Sequence, residues 1–166
     1  QDAIDEFDEM IVVDIDSVAN ATESGTQQVT ATISDDDPAP TVTLSLAGSL
    51  LAEAAGAGIV TATLSAVSGL DVTVNLTFSG AAMPISDYTR SGQTITIPAG
   101  NTSGSVMLTA VQDAIDESDE TIVVDIDSLI NGVESGTQQV TATIADDDLP
   151  PEVALSVWRS PLAEAG

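Results

Sequence analysis

Residues 72–79, VTVNLTFS, place Val72, Val74, Leu76 and Phe78 on one face of an extended chain and Thr73, Asn75 and Thr77 on the other. Alternation with period two is the signature of a half-buried strand. It continues in both directions. TVTLSL offers Val42, Leu44 and Leu46; IVTATLSA offers Val60, Ala62 and Leu64; QTITIP offers Ile95 and Ile97. Further on, SVMLTA offers Val106, Leu108 and Ala110, TIVVDIDS turns Ile122, Val124 and Ile126 inward, and QVTATI closes with Val140, Ala142 and Ile144. The outward positions are rich in Thr, a β-branched residue that suits a strand and tolerates water. Seven short strands separated by Gly, Ser, Asn and Asp turns, Asn131-Gly132 among them, predict an all-β, immunoglobulin-like seven-stranded Greek-key sandwich. No segment carries a helical stripe.

The same stretches also repeat. QDAIDEFDEMIVVDIDS begins at Gln1 and QDAIDESDETIVVDIDS at Gln112; SGTQQVTATISDDD begins at Ser24 and SGTQQVTATIADDD at Ser135. The offset of 111 residues holds without a gap from Gln1/Gln112 to Ala55/Gly166, with 39 of the 55 aligned positions identical. That period is the length of a domain, so the chain reads as part of a tandem string. Residues 1–37 are the C-terminal part of one repeat, 38–148 a complete repeat, and 149–166 the N-terminal part of the next. The junctions DDDPAP (35–40) and DDDLPP (146–151) contain proline, which favours extended, stiffened backbone. The two partial repeats carry too few strands to close sandwiches alone. Neighbouring repeats of the same chain, or identical chains in an assembly, are therefore the expected partners.

Composition narrows the chemistry. The chain of 166 residues holds 27 Asp plus Glu, two Lys plus Arg, no His and no Cys, for a formal charge of −25. A hydrophobic fraction of 43% is normal for a folded chain and argues against disorder. No apolar run is long enough to span a bilayer, so no membrane insertion is expected in this segment. Nucleic acid is excluded as a partner, since Arg90 and Arg159 are the only cationic side chains. Cys/His zinc sites, thiol or imidazole catalysis and lysine Schiff bases lack their residues. A carboxylate-pair glycosidase is disfavoured by the scarcity of rings to stack on sugar: Phe7, Phe78, Tyr88 and Trp158 are all there are. The chain is not expected to be an enzyme.

The acids divide by position. Asp14, Asp16, Asp125 and Asp127 ride on outward strand faces, where charge guards against edge pairing. The others gather between strands: Glu53 after the first strand, Asp87 before Tyr88, Asp113, Asp116, Glu117, Asp119 and Glu120 in one loop, and Asp146, Asp147 and Asp148 after the last strand. Asp2, Glu6, Glu9, Asp35, Asp36 and Asp37 recur at the matching places of the preceding repeat. Such runs are commonly hydrated loops, but strand ends of a sandwich can converge, and hard cations take six to eight oxygen ligands. Neither the EF-hand loop nor the nonapeptide calcium repeat is present.

LAEAAG (51–56), SDY (86–88), QTITIPAGNTSGSVML (93–108), QDAIDESDETIVVDI (112–126) and the closing DDD (146–148) together resemble the Calx-beta repeat. The resemblance covers the complete repeat and both partial ones. It implies a seven-stranded immunoglobulin-like sandwich that binds Ca2+ at one end through loop acids. By position it implies Glu53, Asp87, Asp113, Glu117, Glu120, Asp146, Asp147 and Asp148 as metal ligands. The preceding repeat would contribute Asp2, Glu6, Glu9, Asp35, Asp36 and Asp37, and the following one Glu164. The family's acidic loop often opens with consecutive aspartates; here Gln112 precedes Asp113 and Ala114 follows.

The expected function is a calcium-binding structural repeat of an extracellular or cell-surface bacterial adhesin, matrix or filament protein. An acidic spacer without a bound ion and a regulatory calcium sensor are the alternatives.

Overall fold

The computed structural model describes residues 2–156. Twelve strands and no helix occur among them: β1 (Glu9–Asp14), β2 (Gln28–Ile33), β3 (Thr41–Ala47), β4 (Leu50–Ala52), β5 (Ala57–Leu64) and β6 (Val72–Gly80), followed by β7 (Tyr88–Arg90), β8 (Thr94–Ile97), β9 (Ser103–Ala110), β10 (Glu120–Ile130), β11 (Val133–Glu134) and β12 (Gln139–Ala145). Two five-stranded sheets, in orders β4-β12-β10-β6-β8 and β11-β3-β5-β9-β7, form an immunoglobulin-like sandwich; β1 and β2 pair separately.

The seven segments with clear alternation correspond to β3, β5, β6, β8, β9, β10 and β12. The structure adds β4, β7 and β11, of two or three residues each, to the same sheets. Strands that short have too few positions to show a period, and two of them pair in parallel at sheet edges, β4 with β12 and β11 with β3.

Inward residues meet between the sheets. Val42, Leu51, Val60, Val72, Val74, Ile97, Leu108, Ile122 and Val124 are fully buried. Each such aliphatic side chain stabilises the fold by about 1.5–3 kcal/mol relative to exposure. Among the described residues Tyr88 is the one fully buried ring, and Phe78 packs against the core partly buried. A register shift between Ile126 and Ser128 interrupts the pairing of β10 with β6. An extra residue there reverses the side-chain alternation, which is why Leu129 as well as Ile126 packs against the core.

The β1–β2 hairpin pairs Glu9 with Ile33 through Asp14 with Gln28, the register of Glu120 with Ile144 through Asp125 with Gln139 in β10–β12. Its turn also matches: Gln27 Nε2 donates to the Ser24 carbonyl as Gln138 Nε2 does to that of Ser135. The environments differ. Ile122 and Val124 are buried, whereas Ile11 and Val13 are 47% and 57% exposed.

Candidate metal centre

One end of the sandwich collects four segments. The turn after β4 is tight: Ala55 N–H donates to the Glu53 carbonyl and Gly56 N–H to that of Ala52, with Ala55 at φ 63°. A Cβ at Gly56 would lie 2.4 Å from the Ala52 nitrogen, so only glycine closes this turn. The turn directs Glu53 inward, where it is 8% exposed and its Oε1 accepts the Asp113 N–H at 3.0 Å. Asp87 closes the loop before β7, its Oδ2 accepting the Met83 N–H at 2.6 Å. The loop from Gln112 to Asp119 connects β9 to β10, and Asp146–Asp148 follow β12 directly.

Glu53, Asp87, Asp113, Glu117, Glu120 and Asp146 line one cleft, together with Val111, Ser118 and Ile144. Carboxylate oxygens of Glu53, Asp147 and Asp148 lie within 4.8 Å of one another, and so do those of Asp87, Glu117 and Glu120. All eight acids named for the complete repeat therefore stand at one end. The six named for the preceding repeat, Asp2, Glu6, Glu9, Asp35, Asp36 and Asp37, line a second cleft with Phe7, Ile33 and Ser34. The local frame recurs as well, since Asp35 N–H donates to Asp8 Oδ1 and Asp146 N–H to Asp119 Oδ1. Glu164 lies outside the described residues.

Crowding of like charge shows in the carboxyls. Burial pushes Glu120 up to about 7, reinforced by its hydrogen bond with Asp87 and by the charges of Asp87 and Glu117. Desolvation first, then Asp113, Asp87, Glu53 and Asp146, raises Glu117; desolvation and then Asp146, Asp147, Asp113 and Asp116 raise Asp148. Desolvation also leads in raising Glu6 and Asp37 in the second cleft. Asp87 goes the other way: burial works against it, but hydrogen bonds from Met83, Ser86 and Glu120 outweigh burial and hold it below its ordinary value.

The donor set fits a hard multivalent cation. Asp146 Oδ1 and Asp148 Oδ2 are buried with no hydrogen-bond partner. A buried carboxylate oxygen without a donor is costly, and a cation relieves both that cost and the mutual repulsion. The guanidinium of Arg90 does not serve here; it lies over the Phe78 ring at 4.4 Å.

Residue types alone did not reveal what Gln112 does. Its Nε2 donates to Asp147 Oδ1 at 3.0 Å and to the Asp113 carbonyl at 3.1 Å. An amide thus stands beside the carboxylates where the family pattern often supplies another acid. Ser68, buried at 1% exposure in a loop at β5–β6, was also not singled out by any sequence motif.

The Calx-beta domain family model matches residues 35–148. No curated protein matches the chain. Among solved structures, CBD12 from CALX1.2 aligns with a TM-score of 0.57 at 16% identity, covering 65% of this chain and 44% of that one. The apo-form Calx CBD1 domain aligns at 0.54 and 16% identity, covering 65% of this chain and 99% of that one. The calcium binding domain CBD12 of CALX1.1 aligns at 0.52 and 20% identity, covering 60% and 41%. The chain thus spans less than half of either CBD12 structure and nearly all of the single CBD1 domain. At these identities the likeness concerns the fold.

Proposed function

The chain belongs to the Calx-beta domain family, and we propose that it is a calcium-binding structural repeat of an extracellular adhesin, matrix or filament protein. Calcium would be held by Glu53, Asp87, Asp113, Glu117, Glu120 and Asp146–Asp148, and in the preceding repeat by Asp2, Glu6, Glu9 and Asp35–Asp37. The observation that carries this reading is the pair of buried, partnerless oxygens on Asp146 and Asp148 within a convergent set of acids. Calcium binding by related domains, named for CBD12 of CALX1.1, supports the choice of ion.

The role of the ion is linkage. An ion bound only to the folded state stabilises it by RT ln(1 + [L]/Kd), about 2.7 kcal/mol at a hundredfold excess over Kd. The ligands come from four segments far apart in sequence, so the ion ties together β4, the loop before β7, the Gln112–Asp119 loop and the end of β12. Because Asp146–Asp148 run directly into the proline-containing junction, the same ion stiffens the exit toward the next repeat. Near-identity of the two copies of the acidic segment favours an array built for length over a single regulatory sensor. The domain's work is mechanical, with neighbouring repeats as partners and no catalytic step.

Calorimetric titration of the chelator-stripped chain with calcium tests the ion directly. The proposal expects saturable heat from sites in both clefts. An absence of heat supports the ion-free acidic spacer instead.

A further inference from the structure

The segment Asp-Ala-Ile-Asp-Glu occurs twice, at 2–6 and at 113–117, and its two copies have different surroundings. In the first, a serine–glycine turn sits on it. Asp5 bridges Ser68 in a parallel β-bridge, its carbonyl accepts the Gly69 N–H at 2.9 Å, and Ser68 Oγ donates to that carbonyl and lies 3.3 Å from Asp5 Oδ2. The fit is close: a Cβ at Gly69 would lie 3.1 Å from Glu6 Cβ and 3.3 Å from the Asp5 carbonyl oxygen, tighter than ordinary van der Waals contact. Ile4, Asp5 and Glu6 are half-buried, whereas Ile115, Asp116 and Glu117, identical in sequence, are exposed, Ile115 by 60%. The last three residues of the segment are thus partly covered in one copy and bare in the other.

We propose that the Ser68–Gly69 turn is the element by which one repeat seats on the acidic loop of the repeat before it, and that Ile115–Glu117 is the matching docking surface for the serine–glycine turn of a further repeat of this type. This gives Asp5 and Asp116 a role apart from the acids assigned to metal. Their carbonyls face the following repeat while Asp2, Glu6, Asp113 and Glu117 line the clefts. The contact uses backbone and hydroxyl groups, so it stands with or without an ion.

The chain has no cysteine, which makes engineered pairs unambiguous. Bridged residues of adjacent strands lie in the Cα range that a disulfide spans. Under mild oxidation, Asp5→Cys with Ser68→Cys is expected to close within the full chain, in calcium and in chelator alike, and Gly69→Val added to that pair should abolish closure. For the second surface, residues 56–148 are appended after Gly166, which continues the repeat in register and supplies a second serine–glycine turn. Asp116→Cys, with the appended copy's equivalent of Ser68 also changed to cysteine, should then close to the same extent. A pair that stays reduced in a chain whose circular dichroism still reports the folded sandwich overturns the proposal, as does closure indifferent to Gly69→Val. Because closure is read without metal, failure of calcium binding leaves this test unaffected.

Discussion

Glu53 accepts the backbone N–H of Asp113 at 3.0 Å through Oε1, tying the turn after β4 to the acidic loop across 60 residues of sequence. The bond fixes the loop over the cleft, and Glu53 also carries a negative charge toward Asp147 and Asp148. Glu53→Gln separates the two contributions, because a side-chain amide oxygen still accepts the N–H but brings no charge. The metal-free melting temperature is expected to hold or rise as repulsion is relieved, while calcium affinity falls by at least about tenfold. Thermal melts and titration of the variant check both signs together.

Metal-free stability and the increment that calcium adds to it should depend on pH in opposite senses. Glu120 is held at about 7 against an ordinary 4.5, chiefly by burial, and Glu117 and Asp148 are raised as well. A carboxyl raised in the fold binds its proton more tightly than in the unfolded chain. Its stabilisation is therefore full below the unfolded value and is lost as pH rises from about 4.5 through about 7. Asp87, held below its ordinary 3.8, acts only at lower pH. Metal-free protein should thus melt higher at pH 5 than at pH 8. The calcium-induced shift should be larger at pH 8, where the ligands are ionised. Melts at the two pH values, with calcium and after metal removal by dialysis, provide the check.

Gln112→Asp replaces the amide that now donates to Asp147 and the Asp113 carbonyl. The variant loses two hydrogen bonds and adds a charge to a crowded cluster, so its metal-free form should melt lower. Calcium should bind it more tightly, on the order of tenfold, or with one more ion per repeat. Titration calorimetry reads affinity and stoichiometry in one experiment.

Gly80 sits at φ 118° where β6 leaves the sheet, and a Cβ there would lie 2.1 Å from the Thr121 carbonyl oxygen. That oxygen also accepts the Ala82 N–H, beside Glu120 at the start of β10. Gly80→Ala should cost more than about 1 kcal/mol, lowering the melting temperature by several degrees with or without calcium. A calcium-dependent loss would instead place the effect in the metal site.

The sandwich was legible because long strands such as Val72–Gly80 and Gln139–Ala145 declare themselves by alternation. Leu50–Ala52 and Tyr88–Arg90 did not, since three residues carry no period and their pairing is decided by the sheet edges they meet. Among the acids, charge and repetition identified the loops, and the resemblance ordered them. Which oxygens end up without a partner depends on packing: Asp146 and Asp148 are neighbours of Asp147 in sequence, yet Asp147 alone of the three receives the Gln112 amide. Ser68 was invisible for a related reason. A serine beside a glycine reads as any turn, and its burial comes from a loop 63 residues away.

The most direct measurement is the thermal melt of the full chain at pH 8, first freed of metal with chelator and then with calcium in excess over Kd. Stabilisation of about 2.7 kcal/mol at hundredfold saturation corresponds to a shift on the order of 10 °C for a domain of this size. Calcium held by these carboxylates is expected to produce such a shift, and magnesium is not. Superimposable melts with and without calcium would rule out calcium binding at this end of the sandwich.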